Sequence, residues 1–317
     1  MRRPIPAPVR RGAGVLLGAL PSRRLLRHSK SLRGAGLTFL WHRVRPDGPA
    51  PHDVVLTVRA ELFRQQLEAL GELGDIVSLA DLDRPDPSAR PRFALTFDDD
   101  DYGHARYTLP ILREFGVPAT FFLSGRWIHH LGPYWWEVLE EQIAARGLTE
   151  TTRRLGVRAA SVGELAARIE GSPAASRLGD LGDRANRTDR TSMMTSDHAE
   201  QLRQAGMEIG FHTVDHPVLP LLDVGALQDA VSRGRAELET ALDASIVRFA
   251  YPHGRHDARV RTAACRAGYA SAWTTSELVA RAEDDPFSRG RWEPGSRDPD
   301  ALVAGTLRRL LARSARP

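Results

Sequence analysis

The 317-residue chain has a single cysteine, Cys265, so no internal disulfide can form. The fold therefore does not depend on an oxidising compartment. A lone cysteine of this kind is expected to be a buried small hydrophobe rather than a nucleophile. Lysine is almost missing: Lys30 is the only one, and arginine carries the positive charge. No apolar run approaches the ~18–20 residues that a membrane helix needs. GAGVLLGALP, residues 12–21, sits behind basic residues and is similar to a weak signal-peptide core, but it is short, glycine-rich and followed by SRRLLRHSK. A net charge of only +4 does not suggest a nucleic-acid binder. The basic excess is local, since no acid precedes Asp47 while Arg2, Arg3, Arg10, Arg11, Arg23, Arg24, Arg27, Lys30 and Arg33 do. Residues 1–35 are expected to form a flexible basic arm, with weak contact to an anionic membrane surface as one option. A cytoplasmic location is the expectation, and an exported or membrane-peripheral one the alternative.

What is present is a regular alternation of apolar runs and helical repeats. GLTFLWHRV, DIVSL, RFALTF, VPATFFLSG, GMEIGFH, IVRFAYP and YASAWT read as strands, about seven in all. Helical spacing fills most of the gaps between them, as in AELFRQQLEALGELG, where Leu62, Phe63, Leu67 and Leu70 recur before Gly74. This alternation argues for parallel strands covered by helices, hence an α/β fold of the distorted (β/α)7-barrel type over residues 36–317. Residues of about 126–195 break the rhythm with PYWWEVLEEQIAARG and SVGELAARIEG, and are read as a helical insertion over one end of the barrel. The polar stretch SRLGDLGDRANRTDRTS within it is expected to be mobile.

In such barrels, functional groups collect where strands end. Asp98 and Asp99 follow RFALTF, His212 and His216 follow GMEIGF, and His42 lies near the end of the first strand. The spacing of His212 and His216 brings two imidazoles to one side of a helical turn or tight loop. Two neutral imidazoles and one carboxylate make a three-ligand catalytic metal site with a position left for water. Four like charges in a row, Asp98 to Asp101, need such a cation or other partners to be tolerated.

Here the sequence resembles the polysaccharide deacetylases, the NodB-homology or carbohydrate esterase 4 family. TFDD (96–99), HTVDH (212–216) and FAYPHG (249–254) are similar to its leading motifs, in order, over roughly residues 36–292. The resemblance implies a divalent metal, zinc by preference, and hydrolysis of N-acetyl or O-acetyl groups on a sugar of a polysaccharide or glycan precursor. It implies Asp98 as catalytic base, and Asp99, His212 and His216 as metal ligands. It also implies that the backbone N–H of His253, after Tyr251 and Pro252, faces the oxyanion. Trp273 is expected to wall the pocket. Tyr134, Trp135 and Trp136 are candidates for stacking on sugar rings.

Two departures stand out. Ala250 occupies the place of a motif arginine that braces the catalytic aspartate, and either Arg248 or Arg291 could substitute. No late histidine follows residue 257 to serve as general acid. LWHRV resembles the early motif of the permuted branch that includes poly-N-acetylglucosamine deacetylases, which makes His42 the expected acid. Asp100 and Asp101 are expected to be loop groups, with Asp101 capping a helix near His104 and Asp100 alternatively contacting sugar hydroxyls. The rival readings are another amide hydrolase on the same scaffold and a carbohydrate-binding pseudoenzyme that keeps its metal.

Overall fold

The computed structural model describes residues 32, 34–84, 90–170, 172, 178, 193–277 and 285–314. The strands are β1 (Gly36–Trp41), β2 (Arg43–Arg45), β3 (Thr57–Arg59), β4 (Asp75–Ile76), β5 (Arg92–Asp98), β6 (Thr120–Leu123), β7 (Glu208–Phe211), β8 (Arg248–Ala250) and β9 (Ser271–Trp273). Seven form one parallel sheet in the order β1-β5-β6-β7-β8-β9, with β4 beside the start of β5. β2 and β3 form a separate pair at the end of β1. The sheet curls into a distorted barrel, and its two edges are joined by residues 289–292. On one side Arg289 N donates to Ala272 O (3.0 Å) and Thr274 N to Arg289 O (2.8 Å); on the other, Trp292 N donates to Thr38 O (2.9 Å) and Leu40 N to Trp292 O (3.0 Å).

The apolar runs look continuous because both strand faces are buried. Phe93, Leu95, Phe97, Phe121, Leu123, Phe211 and Phe249 face outward into the layer beneath the helices. Ala94, Phe122, Ala250 and Trp273 face inward, where Leu79 and Leu82 join them. Small residues alternate with large ones across the interior. Gly210 is one of them: a Cβ there would lie 2.4 Å from Phe122 Cδ1.

The flanking helices follow the apolar repeats. They are α1 (Ala60–Leu73), α2 (Leu79–Leu82), α3 (Leu109–Phe115), α4 (Trp135–Arg146), α5 (Leu148–Leu155), α6 (Val162–Ile169), α7 (Ser196–Gln204), α8 (Val224–Leu242), α9 (Ala258–Arg266) and α10 (Pro299–Ser314). α3 is entered through a π-helical turn, His104–Thr108, and stopped by Gly116 at φ 64°. Helices α4 to α6 pack around their own core of Leu139, Ile143, Leu155, Leu165 and Ile169. Glu140 ties this unit to the barrel by accepting from Arg43 Nη1 (2.7 Å), Val54 N (2.7 Å) and Val55 N (3.2 Å).

Several expectations change. Cys265 is exposed, because α9 buries Val260 and Ala264, and position 265 turns about 100° away from 264. The expected arm does not stay free up to residue 35: Leu32 and Ala35 are already part of the core, while residues 1–31 lie outside the described residues. The stretch expected to be mobile, residues 176–192, lies outside them too, apart from Leu178. Among the described residues no helix is long and apolar enough to cross a membrane.

The interior packing predicts opposite outcomes at two glycines. Gly210→Ala should lower stability by about 1–3 kcal/mol through overpacking against Phe122. Gly71→Ala, with nothing within 4 Å of the new methyl, should raise it by about 0.5–1 kcal/mol. Urea denaturation of the two variants beside the parent checks both.

Candidate active site

The four aspartates at the end of β5 are all buried, and three of them meet different hydrogen-bond partners. Asp98 Oδ1 and Oδ2 accept from Arg291 Nη1 and Nη2 at 2.6 and 2.7 Å. Burial alone would raise the Asp98 pKa, but Arg291, with help from His212, overrides it and holds the carboxyl at about 2. Asp100 takes three backbone N–H groups: Ser124 (2.8 Å) and Gly125 (3.3 Å) on Oδ1, and Arg126 (2.8 Å) on Oδ2. Its carboxylate is thus turned into the loop after β6, and Asp100 is not among the residues lining the cavity described below. Asp101 is gripped by Arg45 at 2.7 and 2.5 Å and accepts from Gly103 N at 2.8 Å, just ahead of the π-helical turn. His104, neutralised by burial, lies under the run and donates from Nε2 to the carbonyls of Asp98 (3.0 Å) and Asp99 (3.2 Å).

Asp99 differs from its neighbours. Its Oδ1 is buried with no hydrogen-bond partner. His212 Nε2 and His216 Nε2 each lie 3.8 Å from that oxygen. One ligand atom from each of the three residues falls within 4.8 Å of the others. Ala250 O accepts from His212 Nδ1 at 2.8 Å, which leaves Nε2 unprotonated and facing Asp99. Burial pushes His212 down to about 4 and His216 well below its usual range, so both imidazoles are neutral, the ligating form. Burial, with Asp98 and Asp100 adjacent, pushes Asp99 up to about 7. An acceptor without a donor, facing two lone pairs, fits a divalent cation.

The loop His212–His216 is not a helical turn. Thr213 and His216 have φ of 65° and 51°, Asp99 has 71° and His253 57°. Left-handed backbone at non-glycine residues is uncommon, and here it gathers around one point.

A cavity of about 320 Å³ opens above these groups, with His42, Asp98, Asp99, His212, His216, His253, Trp135 and Trp136 among its lining residues. His42 Nδ1 is 2.8 Å from Glu293 Oε1. Burial lowers its pKa, but Glu293, with Asp99 and Asp98, outweighs this and raises it to about 9. His42 is therefore an imidazolium at neutral pH. His253 is bonded through Nδ1 to Glu170, and burial lowers its pKa against the pull of that carboxylate.

Other expected site residues lie elsewhere. Arg248 shares a face with Ala250, but it begins β8 and sits near the opposite barrel end, with Glu208 (2.6 Å) and Asp83 (3.1 Å). Period-two spacing gives the face and not the level along the strand, and two residues are roughly 6–7 Å. Arg291 alone of the two reaches Asp98. Tyr251 points outward, donating to Phe287 O (2.9 Å) and stacking on His256, because alternation puts it opposite Ala250. Pro252 is buried in the turn 252–254 and shapes it without lining the cavity. Trp273 lies in the barrel interior against Phe122, not in the pocket wall. Trp136 stacks on Tyr134 (4.2 Å) and meets His216 edge-on (4.9 Å), so it supports the histidine. Tyr134 is buried and donates to Ser124 Oγ at 2.7 Å. Trp135 remains the half-exposed ring at the cavity.

Glu293 and Glu170 were not anticipated from sequence. Glu293 was within reach of the same reasoning, since it stands two residues after Arg291 in a strand-like run. Glu170 carries no local signal.

Residues 86–272 match the family model for polysaccharide deacetylase. This is more than half of the chain, which thus belongs to the polysaccharide deacetylase family, hydrolases of the amide C–N bonds of acetylated sugars. No curated protein matches the sequence. Among solved structures, the deacetylase PplD of Streptococcus pyogenes in complex with acetate superposes with a TM-score of 0.60 at 19% identity, covering 85% of this chain and 97% of that one. IcaB from Ammonifex degensii gives 0.57 at 20% identity, covering 89% and 97%. A de-N-acetylase from Aggregatibacter actinomycetemcomitans gives 0.55 at 15% identity, covering 86% and 99%. At these identities the likeness is one of fold.

The Asp98–Arg291 pair predicts a pH-dependent stability. Arg291→Met leaves a buried carboxylate uncompensated and should cost about 3–5 kcal/mol at neutral pH. Asp98 is depressed in the folded protein, so its contribution is present above the unfolded value near ~4 and is lost as pH falls through about 2. The gap between parent and variant should therefore close toward pH 2 and go on widening above pH ~4, because in the variant burial raises Asp98 with its main opponent gone, as read by denaturation from pH 2 to neutrality.

Proposed function

We propose that this deacetylase removes the acetyl group from an N-acetylated sugar with a divalent metal, zinc being the best-fitting ion, held by Asp99, His212 and His216. The observation that carries this is the buried, partnerless Asp99 Oδ1 facing two neutral imidazoles at 3.8 Å each. When bound, such an ion acidifies water and polarises the acetyl carbonyl.

The chain's own residues supply the rest. Asp98, ionised and fixed by Arg291, lies 3.7 Å from His212 Nε2 and accepts a proton from the attacking water. The turn at His253 offers its backbone N–H to the oxyanion that forms as water adds to the carbonyl carbon. His42, charged through Glu293, gives a proton to the amine nitrogen as the C–N bond breaks. Acetate and the free amino sugar leave. Trp135 presents an apolar face for the sugar ring.

Acetate release from short N-acetylglucosamine oligomers, by protein stripped of metal and then given zinc, tests the reading. Zinc-dependent release that falls by about 10²–10⁴-fold in Asp98→Asn is the expected result. Zinc binding without acetate from any acetylated sugar would leave a binding protein, and no zinc binding would sink the site. His42→Ala should cut turnover by a similar ~10²–10⁴-fold with metal content unchanged. The acid must hold its proton, and a raised pKa keeps the proton below that pKa. In the parent, kcat/KM should therefore fall as pH rises through a limb at or below about 9, since a cation at Asp99 weakens the field that holds His42 up. The limb should vanish in His42→Ala.

A further inference from the structure

His212 and His216 are held by different parts of the molecule. His212 is fixed by the barrel, through the Ala250 carbonyl at the end of β8. His216 is packed between two rings, Trp136 at 4.9 Å and His253 at 4.3 Å between centroids. Trp136 belongs to α4 of the insertion. His253 belongs to the turn after β8, but its ring is bonded to Glu170, the residue that follows α6 at the far end of the insertion. Glu170 also accepts from Arg255 Nη2 at 3.2 Å, so its carboxylate spans both residues flanking Gly254. From the other side Thr274 Oγ1 donates to Gly254 O at 2.7 Å. The His253 and His216 rings meet edge to face. Both histidines have left-handed backbone, which persists only where surroundings over-determine it.

We propose that Glu170 is a positioning residue: by clamping His253 it lets the helical insertion set the orientation of the His216 imidazole, and with it the affinity of the metal site. This rests on the metal reading above. Asp99 and His212 are preset by the barrel, whereas the third donor is set by a separately packed helical unit. Outer partners of metal-binding imidazoles commonly control affinity in this way.

The experiment is a zinc titration of the full-length, metal-stripped protein against a chelating dye. Glu170→Ala should weaken zinc binding by about 10–100-fold, with the melting temperature of the metal-free protein unchanged. Glu170→Gln, whose amide oxygen still accepts from His253 Nδ1, should keep most of the affinity. His253→Asn should lose zinc to the same extent as Glu170→Ala, and the double variant should lose no more, because the two act as one chain. Full zinc affinity in Glu170→Ala overturns the proposal, as do a change in sugar KM alone and losses that add in full. Failure of the parent to bind zinc would remove the metal reading together with this one.

Discussion

Four consecutive carboxylates, none more than 7% exposed, set the terms for the rest of the molecule. A buried carboxylate without a partner is not tolerated as an anion, so each must be compensated or neutralised. Arg291 compensates Asp98, Arg45 with Arg43 compensates Asp101, and three backbone N–H groups offset part of the burial that raises Asp100 to about 6. These partners come from the closing segment of the barrel, from the loop after β6, and from β2. The aspartate loop is thus the point on which distant parts of the chain converge. Asp99, the one left without a donor, is defined as much by its neighbours' satisfaction as by its own surroundings.

The segment 289–293 joins structure to chemistry. Its backbone links the two edges of the sheet, while its side chains alternate. Trp292 packs outward on Phe39 and beneath Arg309, and Arg291 turns inward to Asp98. Glu293 then reaches His42. One short stretch therefore holds one carboxylate as an anion, from position 291, and one imidazole as a cation, from position 293. Opposite protonation states in one cavity are what acid–base chemistry at neutral pH requires.

Much of this was legible in the sequence, and the exceptions have physical reasons. The strands could be read because apolar runs of β-branched and aromatic residues end at chemistry-bearing residues, and parallel strands place such ends together. Asp99, His212 and His216 converge for that reason. Arg248 and Arg291 could not be separated, because alternation fixes a face and says nothing of depth. Tyr251 sat beside motif residues but points outward. Helix α5, with its polar LTETTRRL, gives no apolar repeat and forms by packing Leu155 into the insertion's core. Glu170 was invisible, since nothing near it in sequence hints at His253.

The closing segment also imposes an order in time. Asp98 and Arg291 are 193 residues apart, and His42 and Glu293 are 251 apart. At roughly 5–20 residues per second, about 10–40 s of synthesis separate Asp98 from its guanidinium. For that interval the nascent sheet has two unjoined edges, and the Asp98 carboxylate lacks its counter-ion. A chain built this way is exposed to mispairing until residues 289–293 emerge, and the pairs Asp98–Arg291 and His42–Glu293 come into being only when the barrel does.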